Sequence, residues 1–174
     1  MTPEPQVRRI DASEWRKLRA LRLQALRDAP TAFGSTFERE ASFPDERWQL
    51  LAASGASGMD DVAVIAAVDG EWVAMARGYL ERRDQRSAPP AAWLIAVYVD
   101  PRWRGHGLGR AVSGAVVDWA RERGASEVLL HVGDWNGAAR RVYEDLGFRP
   151  TGVRATLSHD PSVAESEMRL RLRW

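Results

Sequence analysis

The run Val-Asp-Pro-Arg-Trp-Arg-Gly-His-Gly-Leu-Gly-Arg, Val99 to Arg110, brings together residue types that suit anion binding. It follows the apolar segment Trp93 to Val99 and opens an amphipathic segment from Leu108 to about Arg123, so a strand should turn here into a helix. The first N–H groups of a helix have no partner within it, and the helix dipole favours negative charge at that end. Gly105, Gly107 and Gly109 alternate, which lets a phosphate approach the backbone without a Cβ in the way. Arg102, Arg104 and Arg110 add donors suited to phosphate oxygens. The chemistry expected is the holding of a pyrophosphate.

Spacing narrows the ligand. A Walker A loop needs Lys-Ser/Thr after its last glycine, and Leu108-Gly109-Arg110 does not supply it. The dinucleotide fingerprint counted from Gly105 puts Arg110 in its third glycine slot. A second pattern lies downstream: Asn136-Gly-Ala-Ala139-Arg-Arg-Val-Tyr143-Glu-Asp-Leu-Gly147-Phe148. Asn136 is a good N-cap and Gly147 a good stop for a short helix, and Asn136 and Tyr143, seven apart, share one face of it. Val142 and Leu146 turn to another face and can pack on a sheet.

Arg104-x-x-Gly107-x-Gly109, preceded by Val99 and Pro101, resembles the acetyl-CoA-binding motif of the GNAT superfamily of N-acetyltransferases. The Asn136–Phe148 segment is similar to that superfamily's second cofactor segment, Asn-x-x-Ala-x-x-x-Tyr-x-x-x-Gly-Phe. The resemblance covers Trp93 to Phe148, and the N-terminal third matches only in element order. It implies acetyl transfer from acetyl-CoA to an amine. For the cofactor it marks Val97, Tyr98 and Val99 on the strand, then Arg104, Gly105, His106, Gly107, Leu108, Gly109 and Arg110 in the turn. Asn136, Ala139 and Tyr143 follow on the short helix. Two neighbouring parallel strands, Trp93–Val99 and Glu127–Val132, should splay to admit the pantetheine arm. A bulge near Val97 to Val99 would free backbone N–H groups for the thioester carbonyl.

Cysteine is absent, so no thiol can take the acetyl group, and direct attack by the amine in a ternary complex is expected. A thiol titrates near ~8.5 and a phenol near ~10, so a tyrosine is protonated at neutral pH and able to donate. The resemblance gives Tyr143 that role of general acid. The base departs from the pattern, because Trp93 stands where many members carry a glutamate. Glu81, acting through water, and Glu38 are the substitutes, with Glu167 at the opening of the last strand a third. An α-amine, with a pKa of ~7.7–8.0 against ~10.4 for lysine, demands less of such a base. The acceptor pocket of the superfamily would here draw on Phe33, Phe37, Glu38, Glu81, Asp84, His159 and Asp160.

Positioning these groups takes a core, and 174 residues with 45% apolar content suffice for a single domain over residues 1–174. A formal net charge of +1 gives no basic excess that would point to nucleic acid or an anionic membrane. His106, His131 and His159 lack metal-ligand spacing, so no metal is expected. The longest wholly apolar run, Val62 to Val68, is a strand's length, and Met1 to Val7 does not resemble a signal peptide. A cytoplasmic protein is expected, with a homodimer suggested by the resemblance.

The pattern predicts a strand at Val7–Ile10, a helix capped by Ser13 through Asp28, and a loop or broken helix from Thr31 to Phe43. A helix from Pro44 to Ala53, a linker from Ser54 to Asp61 and a hairpin, Val62–Val68 and Trp72–Leu80 around Asp69-Gly70, follow. Next come a charged loop from Glu81 to Ala92, the splayed strands with the long helix between them, and the short helix. Strands at Phe148–Arg154 and Glu167–Leu172 close the chain. The fold class is α/β, mixed α+β: a mixed sheet of about seven strands with helices on both faces. Two rivals stay open: a non-catalytic acetyl-CoA-binding sensor of the same fold, and a dinucleotide-binding oxidoreductase, which the glycine spacing disfavours.

Overall fold

The computed structural model describes residues 3–83 and 88–173. The strands are β1 (Gln6–Arg9), β2 (Asp61–Val68), β3 (Glu71–Glu81), β4 (Ala91–Val99), β5 (Glu127–Gly133), β6 (Arg149–Leu157) and β7 (Asp160–Arg171). The helices are α1 (Trp15–Asp28), α2 (Phe37–Ala41), α3 (Asp45–Ser57), α4 (Leu108–Glu122) and α5 (Gly137–Asp145). One seven-stranded sheet runs β1-β2-β3-β4-β5-β7-β6. Its β4–β5 pair is parallel and every other pair antiparallel.

β2 is apolar from Val62 to Val68 because both of its faces are covered. Val62, Val64, Ala66 and Val68 join the core under α4, while Ala63, Ile65 and Ala67 join the core under α1 and α3. α4 lays Leu108, Val112, Val116 and Trp119 on the sheet, and fully burying such side chains contributes roughly 1.5–3 kcal/mol each. Its close approach needs Gly78 on β3, where a Cβ would stand 2.5 Å from Val116 Cγ1. The buried Trp119 indole N–H donates to the Gly58 carbonyl at 2.8 Å, tying α4 to the end of α3. Asp69 and Gly70 take φ of 50° and 82°, the left-handed pair that a two-residue hairpin turn requires.

Several boundaries differ from expectation, each for a local reason. The N-terminal cap is Asp11 rather than Ser13: its carboxylate accepts from Ser13 N, and Glu14 reaches back to Asp11 N, closing a capping box on a short 3-10 turn ahead of α1. The first half of the Ser54–Asp61 linker is helix, since α3 runs to Ser57 and ends on Gly58 at φ 63°. Gly55 within it packs on β2, where a Cβ would stand 2.7 Å from Ala63 Cβ. The largest difference is at the C-terminus. β6 reaches Leu157 and β7 starts at Asp160, so Glu167 lies within a long strand rather than opening it. These two strands leave much of their surface to solvent, which hides the apolar alternation.

Candidate active site

β4 and β5 pair only at Ala91–Glu127, Ala92–Val128 and Trp93–Leu129. Past that point β4 follows β3 and β5 follows β7, so the edges they turn toward each other lack ladder partners. The parting expected of the two parallel strands is present. A bulge on β4 accompanies it. Met75 and Arg77 on β3 face Tyr98 and Ile95, which leaves Ala96 and Val97 opposite one residue, and Ala96 takes φ 55°. The bulge reverses the alternation: Val97 and Val99 pack toward the α4 core, while Tyr98 turns under α1. Tyr98 donates its hydroxyl proton to Asp28 at 3.0 Å, and burial, with that carboxylate, pushes its phenol up to about 12.

The turn after β4 is built on Asp100, which accepts from Arg102 N at 2.9 Å and starts a 3-10 turn with Pro101 in its first position. Gly105 and Gly107 take φ of 78° and 77°, and a Cβ on either would meet nothing within 4 Å. Backbone conformation, not protein packing, therefore demands these glycines. Gly109 differs: it is helical, and a Cβ there would make an ordinary 3.6 Å contact with Val99. Gly107 is the N-cap of α4 and has no side chain to bond the first turn, so the N–H groups of Leu108, Gly109 and Arg110 lack protein partners. The first N–H satisfied within the helix is that of Ala111, donated to Gly107 O. No acidic residue occupies that turn.

The three arginines flanking the cradle divide. Arg102 is held by Asp100 and Glu71, and Arg104 by Asp28 at 3.2 Å and by the Val99 carbonyl. Two of the three guanidinium groups thus brace the turn. Arg110 is exposed and makes no ion pair among the described residues. His106 Nδ1 lies 3.1 and 3.0 Å from the carbonyls of Trp103 and Arg104, so that nitrogen carries the proton and closes the turn on itself. Trp103 packs against the α4 core, with its ring 5.6 Å from that of His106.

In α5, Asn136 caps the helix by accepting from Ala139 N at 3.2 Å. Its side-chain NH2 makes no protein hydrogen bond among the described residues. Tyr143 is the buried residue of α5, with its ring 6.0 Å from Phe148, whereas Val142 and Leu146 stay partly open. The burden of packing therefore falls on the tyrosine rather than on its apolar neighbours. Burial pushes its phenol well above the ordinary range, so the proton stays on. Its hydroxyl makes no hydrogen bond among the described residues. Ala139 lies partly buried on the same core.

The sheet face opposite α4 is covered by α1 and α3 over β2 and β3 and, among the described residues, is open over β4 and β5, where Ile95 is 40% exposed. Trp93 donates its indole N–H to Glu81 at 2.9 Å and stands edge-on to His131, ring centres 5.1 Å apart. His131 Nε2 lies 3.6 Å from a Glu167 oxygen, and Thr151 donates to the other Glu167 oxygen at 2.9 Å. Glu38 is exposed in the first turn of α2. Glu40 is the carboxylate that this helix turns inward, where it takes two hydrogen bonds of 2.9 Å from Arg22. Arg22 also lies 4.9 Å over the Phe33 ring. The β6–β7 turn docks here, as Ser158 donates to Gly34 O at 2.7 Å and His159 Nε2 to Phe33 O at 2.8 Å. Phe37 is half-buried under Arg27, and Asp160 binds Ser162 within its own turn. Asp84 falls outside the described residues. His131 and Thr151 are not among the residues that the motifs mark. Alternation along β5 is the signal that places His131, since Val128, Leu130 and Val132 take the core face.

Comparison with known proteins adds an independent line. The acetyltransferase (GNAT) family profile matches residues 21–148. A mycothiol acetyltransferase of Thermobispora bispora is 48% identical over 59 residues, 34% of this chain and 20% of that protein. The aligned part spans only 20% to 28% of the first three mycothiol acetyltransferases compared. An aminoglycoside N(6')-acetyltransferase type 1 of Stenotrophomonas maltophilia is 32% identical over 110 residues, 62% of this chain and 71% of the relative. Among solved structures, a GNAT-family acetyltransferase from Streptococcus pneumoniae superposes with a TM-score of 0.79 at 18% identity, over 97% of this chain and 100% of the other. A putative acetyltransferase from Salmonella typhimurium with its cofactor acetyl-CoA gives 0.75 at 18% identity, over 98% and 95%. At these identities the superpositions speak for the fold: a mixed sheet with one parallel pair and helices on both faces.

Proposed function

The chain belongs to the acetyltransferase (GNAT) family, and from that premise we propose that residues 1–174 form one catalytic domain moving an acetyl group from acetyl-CoA to an amine. The observation that carries this reading is the N-cap of α4: three free N–H groups behind two left-handed glycines, beside the gap between β4 and β5. Leu108, Gly109 and Arg110 would hold the pyrophosphate through their backbone, with the Arg110 guanidinium beside them. Gly105 and Gly107 shape the approach, while Arg104 and His106 keep the turn in that shape.

The β5-facing edge of Val97, Tyr98 and Val99 would bind the pantetheine amides and the thioester carbonyl, which grows more negative as the amine attacks. Asn136 offers its unused side-chain NH2, and Ala139 offers a small surface against which the arm can lie. Acetyl-CoA supplies the activated acyl group. Tyr143 then gives its proton to the departing sulfur. A thiolate in that desolvated channel is also a stronger base than in water, which favours the transfer. Of the two carboxylates expected as base, Glu81 lies on the open face and accepts from the Trp93 indole, and Glu38 is exposed on α2.

The acceptor is an amine brought to the open face. Aminoglycosides, named in one relative, are polycationic amines of the kind that the carboxylates Glu81 and Glu167 would suit. The reading extends to a cytoplasmic location, where acetyl-CoA is used, and to a homodimer as the assembly, for which sedimentation velocity is the measurement. No described helix is long and apolar enough to cross a membrane.

Free-thiol release from acetyl-CoA in the presence of an amine panel tests the activity. Amine-dependent release supports it. Binding of coenzyme A without release for any amine would instead make this a non-catalytic acetyl-CoA-binding module, the reading that the missing strand glutamate favours.

A further inference from the structure

We infer that His131 is the general base of the acetyl transfer and that Glu167 is the residue positioning it, an inference that rests on the acetyl-transfer reading above. Position is the first argument. Trp93–Leu129 is the last pair joining β4 to β5, and His131 is the next residue of β5 on the open face. It therefore stands at the mouth of the gap, across from the β4 segment that carries the Ala96–Val97 bulge. An amine reaching a thioester held at that bulge from the open face passes this imidazole.

Orientation is the second argument. Trp93 takes the place of the expected strand glutamate, and it is fixed by its bond to Glu81 and packed edge-on against the His131 ring. On the other side His131 and Glu167 are direct cross-strand partners, with Nε2 and the carboxylate 3.6 Å apart. Glu167 is itself fixed by Thr151. A carboxylate on that side favours the tautomer with its proton on Nε2, leaving the Nδ1 lone pair to accept another. The carboxylate–imidazole relation is the one in which a third group orients a base. His131 keeps 37% of its side chain exposed, so the ring is accessible.

Among the described residues, the charged and titratable groups on this face of the sheet are Glu165, Glu167, Arg169 and Arg171 of β7, Arg149 of β6, Glu127 of β5, and Arg77, Tyr79 and Glu81 of β3, with Arg77 paired to Asp61. Arg169 leans to Glu127 and Arg149 to the carbonyls of Glu144 and Phe148, while Glu81 is engaged by Trp93. Among the described residues, Glu167 is the charge within ion-pair range of the ring.

The step balances as follows. The amine nitrogen forms a bond to the thioester carbon, and its N–H, acidified by the positive charge it gains, passes a proton to His131 Nδ1. The C–S bond breaks, and sulfur takes the proton of Tyr143. Solvent then removes the proton from His131 and returns one to Tyr143, leaving an acetamide and free coenzyme A.

The test uses the whole protein with acetyl-CoA and five amines: alanine amide, glycylglycine, spermidine, benzylamine and kanamycin. The best acceptor for the wild type is carried into the variants, and kcat/KM is followed from pH 5 to 9. His131→Ala should lower kcat on the order of 100-fold and abolish the rise in rate with pH that a general base gives. Added imidazole should restore part of the rate, with coenzyme A affinity unchanged. Glu167→Gln should cost less and move that rise toward lower pH. Should His131→Ala fail to fold, His131→Asn takes its place with the same readouts. Wild-type rate, or an unchanged pH profile, in the folded His131 variant overturns the proposal while leaving acetyl transfer standing. Absence of thiol release from the wild type with all five amines overturns both.

Discussion

Trp93 and Leu129 form the last rung between β4 and β5, and every functional group proposed for this protein is arranged around the gap that opens beyond them. The bulge at Ala96 lies on one side and His131 on the other, while the turn that follows β4 delivers the free N–H groups of α4. Tyr143 approaches from the α4 side of the sheet, so the proposed acid and the open face lie on opposite sides of the parted strands.

Tyr143→Phe isolates the proton donor. The ring and its packing on Phe148 remain, and the hydroxyl removed has no hydrogen-bond partner among the described residues, so stability should change by less than about 0.5 kcal/mol. The value of kcat should fall on the order of 100-fold, with coenzyme A affinity within about threefold of wild type. Steady-state kinetics and calorimetry check both parts.

Gly107→Ala and Gly70→Ala form a matched pair. Both glycines have left-handed φ, 77° and 82°, and a Cβ on either would meet nothing within 4 Å. Each substitution should cost about 1 kcal/mol of stability. Only Gly107→Ala should weaken coenzyme A binding, by about tenfold or more, because Gly107 is the N-cap next to the free N–H groups of α4, whereas Gly70 lies in the β2–β3 turn. Equal binding by both variants would count against the cradle.

Asp100 predicts a pH dependence of stability. Hydrogen bonding from Arg102 is the main cause that holds its carboxyl down at about 2, below the ~3.9 of an unfolded aspartate. The charged form therefore stabilises the fold fully above pH ~4, and that contribution is lost as pH falls toward about 2. With Arg102 largely exposed, the effect should be about 1–2 kcal/mol. The stability gap between wild type and Asp100→Asn in urea should be present at pH 7 and close as the pH drops below ~3.

Gly78→Ala tests the seat of α4. The added methyl would meet Val116 and the Trp119 ring, so overpacking of about 1–3 kcal/mol is expected, read as a lowered Tm. A Tm equal to that of wild type would mean that α4 sits less tightly than described.

The groups proposed to hold the cofactor were legible because their geometry is local. Glycines in αL positions, an Asn cap and a Gly stop leave marks in the order of residues, and β2 declared its two buried faces by an unbroken apolar run. The acceptor side was not legible for the opposite reason. The Glu81–Trp93 bond, the His131–Glu167 pair and the docking of His159 on Phe33 join separate elements, strands whose open face carries no apolar period in the first two and loops in the third. Arg104 shows the same limit: its spacing suggested a phosphate ligand, while its guanidinium is taken by Asp28 at the far end of α1. β6 and β7 were shortened in expectation because a hairpin exposed over much of its surface has little hydrophobic pattern to read.

The most direct measurement is a crystal structure of the protein grown with acetyl-CoA. The pyrophosphate should lie within hydrogen-bond distance of the Leu108, Gly109 and Arg110 N–H groups, with the arm between β4 and β5 and the sulfur beside the Tyr143 hydroxyl. Acetyl-CoA bound elsewhere, or a sulfur remote from Tyr143 with the strands closed over the gap, would contradict the account.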